Sequence, residues 1–203
     1  GDIDTLMSPL DSIRYYKSFL RSGFMSMDPK TGAVKAYVGG LDYTHFMYDM
    51  VSLGRRQVGS TIKPFLYSLA MSNGFQPCDL APNRQQTYMV AGRPWTPRNA
   101  NHSRAGQMVP LSWGLAQSSN WVSAYLMSKL NPQQFVQMLR DFGINSPDIH
   151  ASMSLCLGPC EVSVSEMVSA YTVFANHGIR TAPMFVSRIE DNEGNILAEF
   201  TPH

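Results

Sequence analysis

A chain of 203 residues with 16 Lys and Arg against 15 Asp and Glu carries a net charge of +1, which leaves no electrostatic footprint for nucleic acid and no charged tail. No apolar run approaches the roughly 20 residues that span a bilayer, and Asp2, Asp4 and Asp11 stand where a signal peptide would be basic. Only 15% of residues are charged, so the surface is rich in hydroxyls and amides, or part of it is covered by something else.

The first predicted element is a helix over residues 8–21, with Ser8 as N-cap and Pro9 at the first helical position. Residues 23–38 read as two strands about a tight turn. Asp28-Pro29 initiates the turn, Gly32 can take a positive φ at its end, and Val34, Ala36 and Val38 alternate with Lys35 and Tyr37. Helical signals then dominate. A run over 61–72 starts behind Gly59-Ser60 and stops at Asn73-Gly74. Residues 75–108 hold Pro82, Pro94 and Pro97 with little periodicity and read as a long irregular stretch, uncommon in a compact domain unless functional. Helices resume over 110–117 and 120–129, and Asn131-Pro132 opens another that ends at Gly143. Ser163-x-x-Glu166 is a capping box for a helix running to His177 and closed by Gly178. Strands return over 184–190 and 195–200 around a turn at 191–194. This order is α+β: an antiparallel sheet built from hairpins far apart in sequence, flanked by a helical block.

Chemistry concentrates at Ser60-x-x-Lys63. Hydroxyl and amine one turn apart allow the amine to take the hydroxyl proton, provided burial or a second cation keeps Lys63 neutral. A helix start at Ser60 would also offer free N–H groups to a developing oxyanion. The spacing alone is weak, since an N-cap serine and a solvated lysine produce it too. A second feature, Ser118-Ser119-Asn120, lies between two helical stretches, where Ser118 and Asn120 can point one way and Ser119 the other. Taken alone it reads as simple capping.

The two motifs in this order bring a resemblance. Met27 to Gly32, Val38-Gly39-Gly40, Arg56 to Phe65, Leu115 to Asn120, and Ala170-Tyr171 to Gly178 together make the chain similar to the transpeptidase domain of bifunctional, class A penicillin-binding proteins. The resemblance implies a penicillin-binding-protein and serine β-lactamase-like fold. It divides the chain into a linker or start of the transpeptidase domain at 1–22 and a partial transpeptidase domain at 23–203. Within that domain lie a first hairpin at 23–40, a helical block with the motifs at 60–178, and a returning hairpin at 183–200. Residues 8–16 resemble, with a Bacteroidetes-like flavour, the linker that follows a glycosyltransferase domain.

By the same resemblance Ser60 is the nucleophile, Lys63 accepts its proton, Ser118 bridges that proton to the leaving nitrogen, and Asn120 binds the substrate amide. The substrate is a peptidoglycan stem peptide ending in D-Ala-D-Ala, and β-lactams acylate the same serine. No metal or cofactor is implied. The resemblance also places the domain on the periplasmic side of the bacterial cytoplasmic membrane, held there by an N-terminal membrane segment. The family's third motif, Lys-Thr-Gly, lies downstream of Ser-x-Asn on a strand that lines the cleft. Lys30-Thr31-Gly32 lies upstream, at a hairpin turn, and reads as turn chemistry. The chain is therefore expected to end before that strand, so the C-terminal remainder of the domain is a partner. The strand also supplies an oxyanion donor, a loss that costs about 10²–10³ in rate, so these residues alone are expected to acylate poorly.

Two other readings stand beside this one: a β-lactamase or penicillin sensor, for which Glu161 and Glu166 sit in the wrong context, and a non-catalytic scaffold that kept the fold. The histidines show no metal or triad spacing, and Trp121 is the tryptophan placed closest to the motifs. Arg55-Arg56 reads as a solvated pair able to attract an acidic substrate. Cys78, Cys156 and Cys160 are too few for a disulfide scaffold. They leave two readings open, buried thiols or one Cys156–Cys160 bridge, the latter favoured by an oxidising address.

Overall fold

The computed structural model describes residues 3–201. Helix α1 (Pro9–Ser18) begins as its sequence predicts: Ser8 Oγ accepts the Asp11 N–H at 3.2 Å, and Pro9 occupies a position that needs no donor. Strands β1 (Phe24–Met27) and β2 (Val34–Val38) pair antiparallel, Met25 opposite Tyr37. Their turn gives Lys30-Thr31-Gly32 an architectural role. The Asp28 carboxylate accepts the N–H groups of Lys30 and Thr31 at 2.8 and 2.9 Å. Gly32 sits at φ +73°, and a Cβ there would lie 2.2 Å from the Ala182 carbonyl oxygen.

Strand β3 (Arg55–Gln57) leads into a 3₁₀ turn, Gly59–Ile62, and then helix α2 (Lys63–Ser72). Apolar residues at three- and four-residue spacing give α2 a wide buried face: Phe65, Leu66, Leu69 and Ala70 are all within 5% of complete burial. Burial of each large side chain of this kind contributes about 1.5–3 kcal/mol. The stretch after α2 is more ordered than its composition suggests, for it carries β4 (Leu80–Pro82), β5 (Tyr88–Val90), β6 (Arg93–Trp95) and β7 (Met108–Pro110). β4 pairs with β7, and β5 with β6. The β5–β6 turn places Ala91 at φ +48°, a position turns usually give to Asn or Gly, so no hairpin signal marks it.

Helices α3 (Leu111–Ala116) and α4 (Asn120–Met127) follow, then α5 (Pro132–Asp141), whose N-cap Asn131 accepts the Gln133 N–H at 2.9 Å. Helices α4 and α5 pack on α2. Phe65 meets Phe142 and Tyr171 edge-on, with centroids 5.2 and 5.3 Å away. A second 3₁₀ turn, Met153–Leu157, precedes β8 (Glu161–Ser163) and α6 (Val164–Ala175). The capping box forms as expected: Ser163 Oγ accepts the Glu166 N–H, and the Glu166 carboxylate accepts the Ser163 N–H. The chain returns in β9 (Arg188–Glu190) and β10 (Ile196–Glu199).

The α+β class therefore stands, with the strands among the described residues paired as five two-stranded ladders. One parallel bridge, Ala33 to Met184, joins the first hairpin to the returning segment. The ladder that matters most for the site, β3 with β8, connects segments more than a hundred residues apart. All three cysteines are free thiols, so the Cys156–Cys160 bridge does not form; Cys156 and Cys160 are buried as the other reading expects, but Cys78 is exposed. No helix among the described residues is long and apolar enough to cross a membrane.

Candidate active site

Lys63 is the first residue of α2, yet only 1% of it is exposed. Its Nζ donates to the Ser118 carbonyl oxygen at 2.6 Å, to Ser118 Oγ at 3.0 Å and to Asn120 Oδ1 at 2.7 Å. Three acceptors match the three hydrogens of an ammonium. None of them is a carboxylate, and burial lowers the Lys63 pKa from 10.5 to about 8. The neighbouring Cys156 thiol supplies no counter-charge at neutral pH, because burial pushes it up to about 12. Once Lys63 is neutral, one of its hydrogens is gone. Of its three acceptors only Ser118 Oγ has a proton of its own to turn toward the nitrogen, which makes Ser118 the point where a proton can enter or leave.

Ser60 does not cap an α-helix, contrary to expectation. Gly59 at φ +54° turns the chain into the 3₁₀ segment, and the α-helix starts only at Lys63. Ser60 lies on the 3₁₀ turn and Lys63 opens the α-helix that follows, three residues on, but no hydrogen bond joins the two: Lys63 Nζ is engaged by Ser118 and Asn120. Ser60 is exposed, and its hydroxyl makes no hydrogen bond among the described residues. Backbone bonds hold the turn from behind. Gly59 N–H donates to the Gly158 carbonyl oxygen at 3.0 Å, Val58 N–H to the Cys160 carbonyl oxygen at 3.1 Å, and Tyr171 Oη to the Thr61 carbonyl oxygen at 2.7 Å. Gly158, at φ +67°, lies so close that a Cβ on it would sit 2.2 Å from the Gly59 carbonyl oxygen. Below this, Arg55 and Glu166 pair at 3.1 Å. Arg55 is thus committed to an ion pair, and Glu166 to that pair and its capping box.

Ser118 and Asn120 share the Lys63 side of the α3–α4 turn, while Ser119 faces inward as the N-cap of α4. Ser118 takes φ +52°, the left-handed place after a helix end that glycine commonly fills. Ser119, 2% exposed, donates from Oγ to Asn83 Oδ1 at 2.9 Å. Trp121 is also buried, and its Nε1 donates to the Pro97 carbonyl oxygen at 3.1 Å, so it anchors the 97–104 segment. The four candidate residues thus converge on two turns. Sequence reasoning missed Asn83, Asn99 and Gly158. The length of the 75–108 stretch was the one signal that pointed toward the first two.

The model of the penicillin-binding protein transpeptidase domain matches residues 22–203, and that of the penicillin-binding protein middle domain matches residues 1–20, read above as linker. Penicillin-binding protein 1A of Pseudomonas aeruginosa is 32% identical over 184 residues, covering 90% of this chain and 22% of that protein. Penicillin-binding protein 2D of Bacillus subtilis is 36% identical over 184 residues, covering 90% of this chain and 26% of that one. The crystal structure of penicillin-binding protein 1A from Haemophilus influenzae superposes with a TM-score of 0.85 at 30% identity, over 90% of this chain and 27% of that one. The chain spans about a quarter of the length of these relatives.

Proposed function

We propose a mechanism from the premise that this chain belongs to the penicillin-binding protein transpeptidase family, as its match over residues 22–203 shows. Ser60 Oγ attacks the carbonyl carbon of the penultimate D-alanine in a stem peptide, and its proton passes to neutral Lys63 Nζ. The tetrahedral intermediate expels the terminal D-alanine, whose nitrogen takes a proton through Ser118 Oγ. An amine of a neighbouring stem then attacks the Ser60 ester, forms the cross-link and restores the hydroxyl. Asn120 holds the substrate amide. A β-lactam enters at the first step and stays as the acyl group on Ser60. The reaction takes place outside the cytoplasmic membrane, in a protein anchored by a further segment.

One observation carries this reading. Lys63 Nζ, buried and without a carboxylate partner, meets Ser118 and Asn120 from 55 and 57 residues away, at the start of the helix that follows the turn presenting an unbonded Ser60. A solvated lysine beside a capping serine would show neither the burial nor the distant partners. The test is mass spectrometry of the full-length protein after benzylpenicillin, wild type against Ser60→Ala. An adduct on the wild type alone is expected, and equal labelling removes Ser60 as nucleophile. Rapid release of the adduct would favour a β-lactamase instead.

A further inference from the structure

Asn120 has two functional ends, and the protein fixes which way round they lie. Its Oδ1 accepts from Lys63 at 2.7 Å, while its Nδ2 donates to the Arg98 carbonyl oxygen at 2.7 Å. A flipped amide would set NH₂ against the Lys63 donor and oxygen against the Arg98 oxygen, so it is excluded on both sides. The Arg98 carbonyl takes one of the two Nδ2 hydrogens and leaves the other for substrate. Asn99, the next residue, reaches back to the same place: its Oδ1 accepts the Asn120 backbone N–H at 2.7 Å. Its Nδ2 donates to Asn101 O at 3.0 Å and to Ser119 Oγ at 3.3 Å.

Below this lies a buried base. Asn83 is fully buried; it accepts from Ser119 Oγ and donates from Nδ2 to the carbonyl oxygens of Ser103 and Arg104 at 2.9 and 3.0 Å. We infer that Asn99 is a positioning residue: it clamps the 97–99 segment to the start of α4 so that the Arg98 carbonyl orients the Asn120 amide toward Lys63 and substrate. Asn83, bonded to Ser119 and to the far end of the segment, is the fixed point of the clamp. The inference rests on the Ser60 reading above and adds a residue that touches neither the acyl group nor the nucleophile.

A purely structural asparagine would slow the reaction regardless of what Asn120 does. The test is therefore a double-mutant cycle on the full-length protein, reading the second-order rate of acylation by benzylpenicillin for wild type, Asn99→Ala, Asn120→Ala and the double variant. Asn99→Ala is expected to slow acylation about tenfold in the wild-type background, the rate equivalent of one hydrogen bond, and not at all in the Asn120→Ala background. Equal losses in the two backgrounds, or no loss in the first, would overturn the clamp. Asn99→Asp covers the case in which the alanine variant does not fold: its carboxylate still accepts the Asn120 N–H but sets an oxygen against the Asn101 carbonyl oxygen that Nδ2 now meets. It should slow acylation in the wild-type background and not in the Asn120→Ala background, and equal losses in the two would also overturn the clamp. If the wild type gives no Ser60-dependent adduct, the underlying mechanism fails; if it acylates normally while the cycle is additive, only the clamp fails.

Discussion

The two turns that make the site solve one problem by opposite means. At Ser60 the awkward backbone falls on its neighbour Gly59, and the turn is held by main-chain bonds from Gly158 and Cys160. At Ser118 the functional residue itself takes the left-handed conformation, and its neighbours are held by side-chain amides from Asn83 and Asn99. The first turn is therefore sensitive to added bulk and the second to deleted polar groups. Ser60 sits on a stiff backbone, whereas the Ser118–Asn120 side is a network that can be dismantled one group at a time.

The largest break in that comparison comes from the amine both turns share. Lys63→Met keeps the volume and removes the base, and acylation by benzylpenicillin should fall by about 10²–10⁴, the usual span for general-base catalysis. Gly158→Ala tests the stiff side. Its Cβ meets the Gly59 backbone at 2.2 Å in a conformation costly for alanine. Denaturant unfolding should show a loss of about 1–3 kcal/mol, together with slower acylation.

The pH response reads the amine without mutation. Below about 8 the folded and unfolded chains both carry the ammonium, and above 10.5 neither does. Between these values the unfolded chain binds more protons, so the Lys63 contribution to stability rises with pH. Acylation should rise through a midpoint near 8, gaining about tenfold from pH 7 to pH 9. A flat profile would mean that Lys63 is not the titrating base.

The smallest effect separates conformation from chemistry at the second turn. Ser118→Ala and Ser118→Gly both lose the hydroxyl and should acylate equally slowly, but only glycine relieves φ +52°. The glycine variant should be the more stable by about 1 kcal/mol in thermal unfolding.

The four candidate residues were legible because their motifs are written locally: Ser60 with Lys63 three residues on, Ser118 with Asn120 two residues on. Capping signals were legible for the same reason, and Ser8, Asn131 and Ser163 all cap as read. Strands of three residues, such as β3 and β8, are too short to show a period of two, so their pairing stayed hidden until the fold brought them together. The Asn83–Ser119–Asn99 network leaves no pattern at all, because its members touch only after the 75–108 segment has docked. Gly158 was invisible for a related reason: its constraint is the backbone of Gly59, a hundred residues upstream.

The long reach from Lys63 to Ser118 and Asn120 also bears on when the site comes into being. Ser60 and Lys63 are neighbours from the moment they are joined, but their partners require closure of a loop of more than fifty residues, a step whose entropic cost precedes its reward. Until that loop closes, the amine stays hydrated and keeps its ordinary pKa of 10.5, so far less of it is neutral near pH 8 than in the folded chain. The supply of neutral amine beside Ser60 is thus a property of the completed tertiary structure and not of the local sequence.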